Sequence, residues 1–253
     1  MAETKTTNRQ LLAEDGWVSY SAVTPTLTTD DDPTYVLTFA GVDLTGLISV
    51  GQKIKITQTT DKFFIVTAIA FSTNTTLTVY GGTDYDIAAT AGTPITAFWF
   101  SQMKAPFGFP VDPTKWQVVT TDTSIRVQNT PTQNTWYNLG SLSISVPIGA
   151  WHLGYKVALQ VYEGAISEVK VEGTLSTANN SESDSEFTSV VMSGTAIPNP
   201  ATVVGMGSVT KPVTVSSKTT YYLNARTIDG SRDAIYFRGD WVDTVIRAVC
   251  AYL

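Results

Sequence analysis

The chain holds few residues of the types that do catalysis. It has one histidine, His152, and one cysteine, Cys250. A Ser–His–Asp hydrolase would therefore depend on His152 alone, and no Gly-x-Ser-x-Gly elbow accompanies it. We expect His152 to lie at a strand end with local hydrogen bonds. Cys250 lies in an apolar run and is predicted to be a small core residue.

Acidic residues are the second group that could do chemistry. Paired carboxylates of a glycoside hydrolase could come from a set of aspartates that has arginines nearby, so we expect local ion pairs instead. The set is Asp229, Asp233, Asp240 and Asp243, with Arg226, Arg232, Arg238 and Arg247. Two aspartate clusters, Asp30–Asp32 and Asp84 with Asp86, offer oxygen ligands for calcium but lack the spacing of a dedicated calcium loop. Calcium binding there stays open, and solvated turns are favoured.

The sequence contains no motif for binding other cofactors. One histidine and one cysteine at distant positions cannot form a structural zinc site. Phosphate-loop and dinucleotide fingerprints are absent. We therefore expect no cofactor and no catalytic residue. The tripeptide Arg238–Asp240 matches a sequence that adhesion receptors read, but Gly-Asp is also ordinary turn chemistry.

Aromatic side chains are the best candidates for binding, since aromatic faces with polar handles suit sugar stacking and subunit interfaces. The predicted ligand or interface contacts are Trp136, Trp151, Tyr222, Tyr236 and Trp241. Alternation along a strand sends neighbouring side chains to opposite faces. In Tyr221–Tyr222 and in Tyr236–Phe237, one ring is therefore expected in the core and the other at the surface.

These candidates sit among runs that alternate between apolar and polar residues, as half-buried antiparallel strands do. The pattern predicts an all-β fold. The strands predicted in the first half are Tyr35–Phe39, Lys53–Thr57, Phe63–Phe71 and Thr76–Tyr80. Those predicted in the second half are Leu142–Pro147, Tyr155–Val161, Val169–Glu172, Phe187–Met192, Val209–Val215, Tyr221–Arg226, Ala234–Phe237 and Thr244–Tyr252.

Four segments follow from the turn and proline signals. Residues 1–16 form an arm or a short helix, and residues 17–101 form a small β-barrel, since closure removes exposed strand edges. Residues 102–115 carry three prolines and one glycine in close succession and are predicted to form a stiff linker. Residues 116–253 form a jelly-roll β-sandwich, in which Ser176–Glu186 and Ala196–Gly207 are exposed loops.

Composition excludes several classes of partner. The formal net charge is −6, charged residues make up 15% of the chain, and there is no basic patch. We expect no nucleic-acid binding, because nothing would neutralise a row of phosphates. No apolar stretch approaches membrane-spanning length. An intrachain disulfide cannot form, because the chain has a single cysteine. The chain is expected to fold in a cytosol, and nothing in it directs export.

Three segments resemble a module of bacteriophage virion proteins, where it lies near the N-terminus of tail-fibre or head-fibre proteins. They are Gly51–Thr60, Lys62–Ala68 and Thr76–Tyr85. The stretch Gly140–Tyr162, with Val146–Trp151, resembles the first strands of jelly-roll tip domains of such proteins. The resemblance implies a non-enzymatic, trimeric protein that attaches to host-surface glycans or decorates a capsid. It offers no motif from which binding residues could be assigned.

The sequence therefore leaves three hypotheses. The first is a tail-fibre or receptor-binding protein that is assembled into a virion in the host cytoplasm. Its N-terminal domain would contact other virion proteins, its tip would contact a host-surface glycan, and it would be a homotrimer. The second is a capsid decoration protein or head fibre. The third is a polysaccharide depolymerase, which is disfavoured because no repeat of a β-helix is visible.

Overall fold

The computed structural model describes residues 15–89, 94–163, 167–196, 201–228, 230 and 232–253. This described part is all-β, with 17 strands and three short 3₁₀ helices. The helices are Pro113–Lys115, Leu139–Ser141 and Ser185–Phe187. The strands are β1 (Trp17–Ser19), β2 (Thr26–Asp31), β3 (Thr34–Phe39), β4 (Lys53–Thr57), β5 (Asp61–Phe71), β6 (Thr75–Tyr80), β7 (Ala97–Ser101), β8 (Gln117–Asp122), β9 (Ile125–Asn129), β10 (Ser143–Val146), β11 (Gly149–Glu163), β12 (Ser167–Ser176), β13 (Ser189–Ala196), β14 (Ala201–Val215), β15 (Thr219–Thr227), β16 (Ala234–Arg238) and β17 (Thr244–Cys250).

The chain divides into two compact units. Unit 1 comprises Met1–Gln117, Pro147–Ala150 and Cys250–Leu253, and unit 2 comprises Val118–Val146 and Trp151–Val249. The predicted arm over residues 1–16 lies almost wholly outside the described residues, which begin at Asp15. The described chain contains no helix that is long and apolar enough to cross a membrane.

Unit 1 is built on one antiparallel sheet with the strand order β1-β7-β4-β5-β6-β3-β2. Alternation gives the inner strands a buried set of side chains, so that Leu37 and Phe39 of β3 share a core with Ile54 of β4, Phe64 of β5 and Phe98 of β7. Phe39 and Phe98 meet edge to face, with ring centroids 4.9 Å apart. Aromatic pairs in this geometry contribute beyond the area that they bury.

The predicted small barrel is wrong for the described residues, because the sheet of unit 1 does not close on itself. Its two edges are β1, which has three residues, and β2, whose side chains are mostly exposed. The sequence of β2 includes Asp30 and Asp31, and charged residues on an edge strand oppose further pairing. Closure into a barrel would have required hydrogen bonds between β1 and β2, but one is very short and the other is polar and exposed.

The segment predicted as a linker, 102–115, packs within unit 1. The indole Nε1 of Trp17 donates a hydrogen bond of 2.8 Å to Phe107 O, and that of Trp116 donates to Pro110 O at 2.6 Å. The ring of Phe109 is buried and stacks on Trp116 at 4.9 Å with an interplanar angle of 9°. The prolines fix the path, and the aromatic rings attach it to the unit.

Unit 2 has two sheets. One has the order β10-β15-β12-β13, and the other has the order β8-β17-β11-β16-β9, with β14 also paired to β11. The odd-numbered residues of β11 face inward, and Trp151, Leu153, Val157 and Leu159 are fully buried. The even-numbered residues lie on the other side, where His152 is exposed and Lys156 and Gln160 are half-buried, while Gly154 and Ala158 are covered.

Tyr155 joins the two sheets of unit 2. Its buried hydroxyl lies 2.8 Å from Gly173 O on β12, 3.2 Å from Phe187 O and 2.8 Å from Ser189 Oγ on β13. A hydroxyl from one sheet that bonds to the backbone of the other requires the two inner faces to be packed together, as in a sandwich. The jelly-roll arrangement within this two-layered unit stays a prediction.

The structure also adds strands that the sequence did not predict. The expected loop Ala196–Gly207 contains the end of β13 and the start of β14, while Pro198 and Pro200 lie outside the described residues. The two glycines of β14 reflect close packing, since a Cβ at Gly205 would overlap Val191 O and a Cβ at Gly207 would lie 2.6 Å from Val191 Cγ2. Glycine in a strand often marks such an approach of another backbone.

Candidate functional site

Two of the five predicted site residues belong to the core. Trp151 is fully buried, because it shares the inward parity of Leu153 and Tyr155 on β11. Trp136 is 7% exposed, and the guanidinium of Arg226 covers its ring with Cζ 4.4 Å from the centroid. Neither ring presents a face to a ligand at the surface of unit 2, so neither is part of a surface site.

Tyr236 and Trp241 lie at the surface of unit 2. Tyr236 is half-buried on β16, while its neighbour Phe237 is fully buried, as alternation predicts. Trp241 follows β16 in a turn and is 50% exposed. Its ring lies on the guanidinium of Arg238, with Cζ 3.6 Å from the centroid. We call Tyr236, Arg238 and Trp241, together with Gln160, the aromatic platform.

The neighbouring strands extend the aromatic platform. Tyr236 pairs with Gln160 of β11 on one side and with Val127 of β9 on the other. Ile125 of β9 pairs with Arg238. Paired residues share a face of the sheet, and Ile125 and Val127 are 50% and 46% exposed. The outer face at this edge is thus unusually apolar for a surface.

Arg238 is held rigidly in the aromatic platform. Its Nε and Nη2 donate to the two carboxylate oxygens of Asp240 at 2.8 and 2.7 Å, and its Nη1 donates to Gln160 Oε1. Gly239 between them permits this turn, since a Cβ there would lie 2.5 Å from Asp122 O. The hydrogen bonds from Arg238 lower the pKa of Asp240 below its usual range. Because Arg238 and Asp240 neutralise each other, they are not offered as two separate charges to an adhesion receptor.

Tyr222 lies on the other sheet of unit 2. It is half-buried on β15, and its cross-strand neighbours are Ser143 of β10 and Ser176 of β12. Tyr221 beside it is buried and meets the ring of Phe187 edge to face at 6.0 Å. The expected division of this pair between core and surface is confirmed, but the structure does not bring Tyr222 to the aromatic platform.

A groove of about 300 Å³ opens on the outer side of β11. Its lining includes the cations Lys156 and Arg247 and the hydroxyls of Ser208 and Thr210, with Val245 and Val249 as apolar walls. We call these six residues the cationic groove. None of the described residues that line it is an aspartate or a glutamate. In the described part of the chain, neither Lys156 nor Arg247 has a carboxylate at ion-pair distance.

Gly154 lets β14 reach β11 and form one wall of the cationic groove. A Cβ at residue 154 would overlap Thr210 Oγ1 and Val209 O. Because any other side chain would push β14 outward, the glycine fixes the place of Ser208 and Thr210 beside Lys156. This close approach is a structural reason for a glycine inside a strand.

Most aspartates with a shifted pKa owe the shift to a bonded partner. Hydrogen bonds from Arg126 hold the pKa of Asp122 below its usual range, and hydrogen bonds from Lys211 do the same for Asp184. Among the four aspartates considered for glycoside hydrolysis, Asp229 lies outside the described residues and Asp240 is paired with Arg238. Asp243 is exposed.

The calcium candidates show local contacts of the same kind. The side chain of Asp84 contacts Lys115, and that of Asp86 lies 3.2 Å from Lys62 Nζ. Asp32 Oδ1 accepts a hydrogen bond of 3.0 Å from the Tyr35 hydroxyl. Within the described ranges, no group of three or more His, Cys, Asp and Glu residues could hold a metal ion.

The histidine and the cysteine differ in their exposure to solvent. His152 is exposed on β11, on the outward side. Cys250 is 2% exposed, and burial raises the pKa of its thiol to about 11. The predicted core position of Cys250 is confirmed. A buried thiol of this kind is a poor nucleophile, because the thiolate is the reactive form.

Comparisons with known proteins give little beyond the fold class. No protein-family model and no curated protein matches the chain. Among solved structures, the chain is similar to one of infectious bursal disease virus strain Gx, at 9% identity and a TM-score of 0.32, covering 92% of this chain and 74% of that one. It is also similar to the VP2 subviral particle of that virus, at 10% identity and a TM-score of 0.29, covering 92% and 78% of the two chains. Scores this low carry no argument about the role of this chain.

Sequence reasoning missed the cationic groove. Lys156 and Arg247 are outward residues of strands that it did predict, and strand parity alone could have placed them at the surface. The pairing of β14 with β11 joins segments that are distant in the sequence, and no local sequence pattern predicts it. The groove therefore follows from the three-dimensional arrangement of the strands and not from the sequence pattern of any one of them.

Proposed function

We propose that this protein is a non-enzymatic structural component of a bacteriophage virion and that its unit 2 contacts glycans on the host surface. The observation that carries the proposal is the aromatic platform, where a half-exposed tryptophan is fixed on an arginine beside a half-exposed tyrosine. Rigid aromatic faces beside hydrogen-bonding groups are suited to stacking on sugars. The platform presents them on an open sheet face rather than in a deep cleft.

The resemblance of Gly51–Thr60, Lys62–Ala68, Thr76–Tyr85 and Gly140–Tyr162 to phage virion modules supports the virion assignment. In this proposal unit 1 mounts the protein on the particle and a jelly-roll unit 2 reaches the host. The chemistry of unit 2 also supports binding over catalysis, since Asp122, Asp184 and Asp240 are each bonded to a cationic side chain. A general acid or base needs a carboxyl that is free to exchange its proton near neutral pH.

We propose a homotrimer, in which the apolar edge at β9 contacts a second copy. The exposed side chains of Ile125 and Val127 on an edge strand favour a protein contact, because such edges otherwise promote uncontrolled association. Light scattering of the purified chain should give about three times 27.3 kDa. A mass close to one chain would remove the trimer from the proposal.

A capsid decoration protein or head fibre is the second candidate. The same exposed apolar residues, Ile125 and Val127, would then contact capsid proteins and not a second copy of this chain. Counting copies per particle separates the two roles. Tens to hundreds of copies favour the capsid, and a small multiple of three favours a tail tip.

The test of the glycan contact is binding of the full chain to isolated host envelopes, with Trp241→Ala as the variant. Loss of the exposed ring should weaken binding at least about fivefold, since stacking of an aromatic ring contributes about 1 kcal/mol or more. Phe107→Ala is the matched control, because Phe107 is 83% exposed in unit 1 and its ring is remote from the platform in sequence. Equal loss in both variants, or none in Trp241→Ala, would contradict the proposed contact.

A further inference from the structure

The cationic groove departs from the charge of the whole chain. The protein carries a formal net charge of −6, and most of its described cations contact carboxylates, as Arg126, Lys211 and Arg238 do. Lys156 and Arg247 line one groove, and no described residue of its lining is acidic. Two unpaired cations in one concavity of an acidic protein make a local site for an anion.

The polar atoms of the groove fit an anionic group. An arginine guanidinium binds carboxylate or phosphate oxygens in a forked geometry, and a lysine adds a point charge. The hydroxyls of Ser208 and Thr210 have no hydrogen-bond partner among the described residues and can donate to further oxygens. Val245 and Val249 give an apolar wall for the CH face of a sugar ring. The volume of about 300 Å³ lies at the small end of the range for ligand pockets.

The groove and the aromatic platform share one face of β11. Lys156 lines the groove and Gln160 belongs to the platform, and both have the outward parity of this strand. Four residues along a strand span about 13 Å, at about 3.3 Å per residue. Lys156 and Gln160 are therefore close enough for one extended oligosaccharide to contact both, passing over the side chains that cover Ala158.

We propose that the cationic groove binds the anionic substituent, a carboxylate or a phosphate, of a host-surface glycan whose neighbouring sugars rest on the aromatic platform. The inference depends on the proposed glycan contact and specifies its class, an acidic polysaccharide. Lys156 and Arg247 neutralise the anion, Ser208 and Thr210 hydrogen-bond to it, and the aromatic platform supplies contact that does not depend on charge.

The experiment is calorimetric titration of the full chain with an oligogalacturonate, which carries carboxylates, and with its methyl ester, which does not. A phosphorylated oligomannoside and its neutral parent form the second pair of probes and distinguish the two sources of negative charge. The variants are Lys156→Gln and Arg247→Gln. Lys104→Gln is the matched control, since it removes the same charge from an exposed lysine of unit 1 that has no ion pair in the described chain.

We expect at least one acidic probe to bind more tightly than its neutral partner, with affinity that falls as salt is added. Lys156→Gln and Arg247→Gln should each weaken that binding about fivefold or more, the effect of losing one charge-assisted bond at a partly exposed site. Both variants should retain the affinity of the wild type for the neutral probe, and Lys104→Gln should bind as the wild type does. Near-ultraviolet circular dichroism of each variant checks that it is folded.

Three results would overturn the inference, and they differ in what else they remove. Equal binding of acidic and neutral probes, with a Trp241→Ala variant still defective on host envelopes, would refute the acidic class and leave the glycan contact in place. Failure to bind any probe or any host envelope would remove the proposed function as well. An equal loss in Lys104→Gln would show a general effect of net charge and would also refute the groove.

Discussion

Replacing Tyr155 with phenylalanine tests whether unit 2 is a packed pair of sheets. The hydroxyl lies within 3.2 Å of Gly173 O, Phe187 O and Ser189 Oγ. It has one proton to donate, and the 2.8 Å distance favours Gly173 O over Phe187 O. The Ser189 hydroxyl can donate in return. The Tyr155→Phe variant therefore loses about two buried hydrogen bonds, while its aromatic ring keeps the same size.

The magnitude follows from these bonds. Each intramolecular hydrogen bond contributes about 1 kcal/mol net, so Tyr155→Phe should lose about 2 kcal/mol of unfolding free energy. For a chain of this length, about 1 kcal/mol lowers Tm by about 2–4 °C, which predicts a fall of about 4–8 °C. The variant also gains resistance to alkali. Burial raises the pKa of Tyr155 to about 12, so its stabilising effect is present below about pH 10 and is lost as the pH rises toward 12.

The assay is denaturant unfolding at neutral pH and at several alkaline pH values, for the wild type and two variants. Tyr222→Phe is the matched control, because Tyr222 is half-buried and its hydroxyl has no hydrogen-bond partner in the described part of the chain. Its stability should stay within about 0.5 kcal/mol of the wild type. If Tyr155→Phe behaved like Tyr222→Phe, the contact between the two sheets would not exist as described.

Two other residues give predictions of stability and reactivity. Asp122→Asn should destabilise the protein by about 1 kcal/mol at neutral pH, because it breaks the paired hydrogen bonds with Arg126. Since the folded pKa of Asp122 is lowered, the wild type should lose this stabilisation as the pH falls below about 4, and urea titrations across that range should show a smaller loss in the variant. Cys250 should not react with a thiol reagent at about pH 8 until guanidinium unfolds the chain, and fast labelling of the native protein would contradict its buried position.

The strands were predictable where the sequence alternates, because alternation is a local property. The runs at Lys53–Thr57 and Ala234–Phe237 correspond closely to β4 and β16. The strands β8 and β9 were missed, since both expose apolar residues such as Val119 and Ile125 and lack a clear buried face. Barrel closure was wrongly predicted, because it depends on whether the two edge strands of the sheet pair with each other. No local sequence pattern determines that pairing.

The candidate site was predictable only in part. Parity placed Phe237 in the core and Tyr236 at the surface. It could equally have placed Trp151 inside, since Trp151 has the same parity as Leu153 and Val157. The stacking of Trp241 on Arg238 depends on the geometry of the turn between them. The only sequence signal for that turn is Gly239.

The most direct test of the account is a single incubation of the full chain with polysaccharide from the surface of its host, in which bound polymer and new reducing ends are measured together. The account predicts bound polymer, weaker binding for Trp241→Ala, and no increase in reducing ends over time. A rise in reducing ends that depends on the protein would show an enzyme where we propose a binding surface, and the absence of any bound polymer would contradict the glycan contact itself.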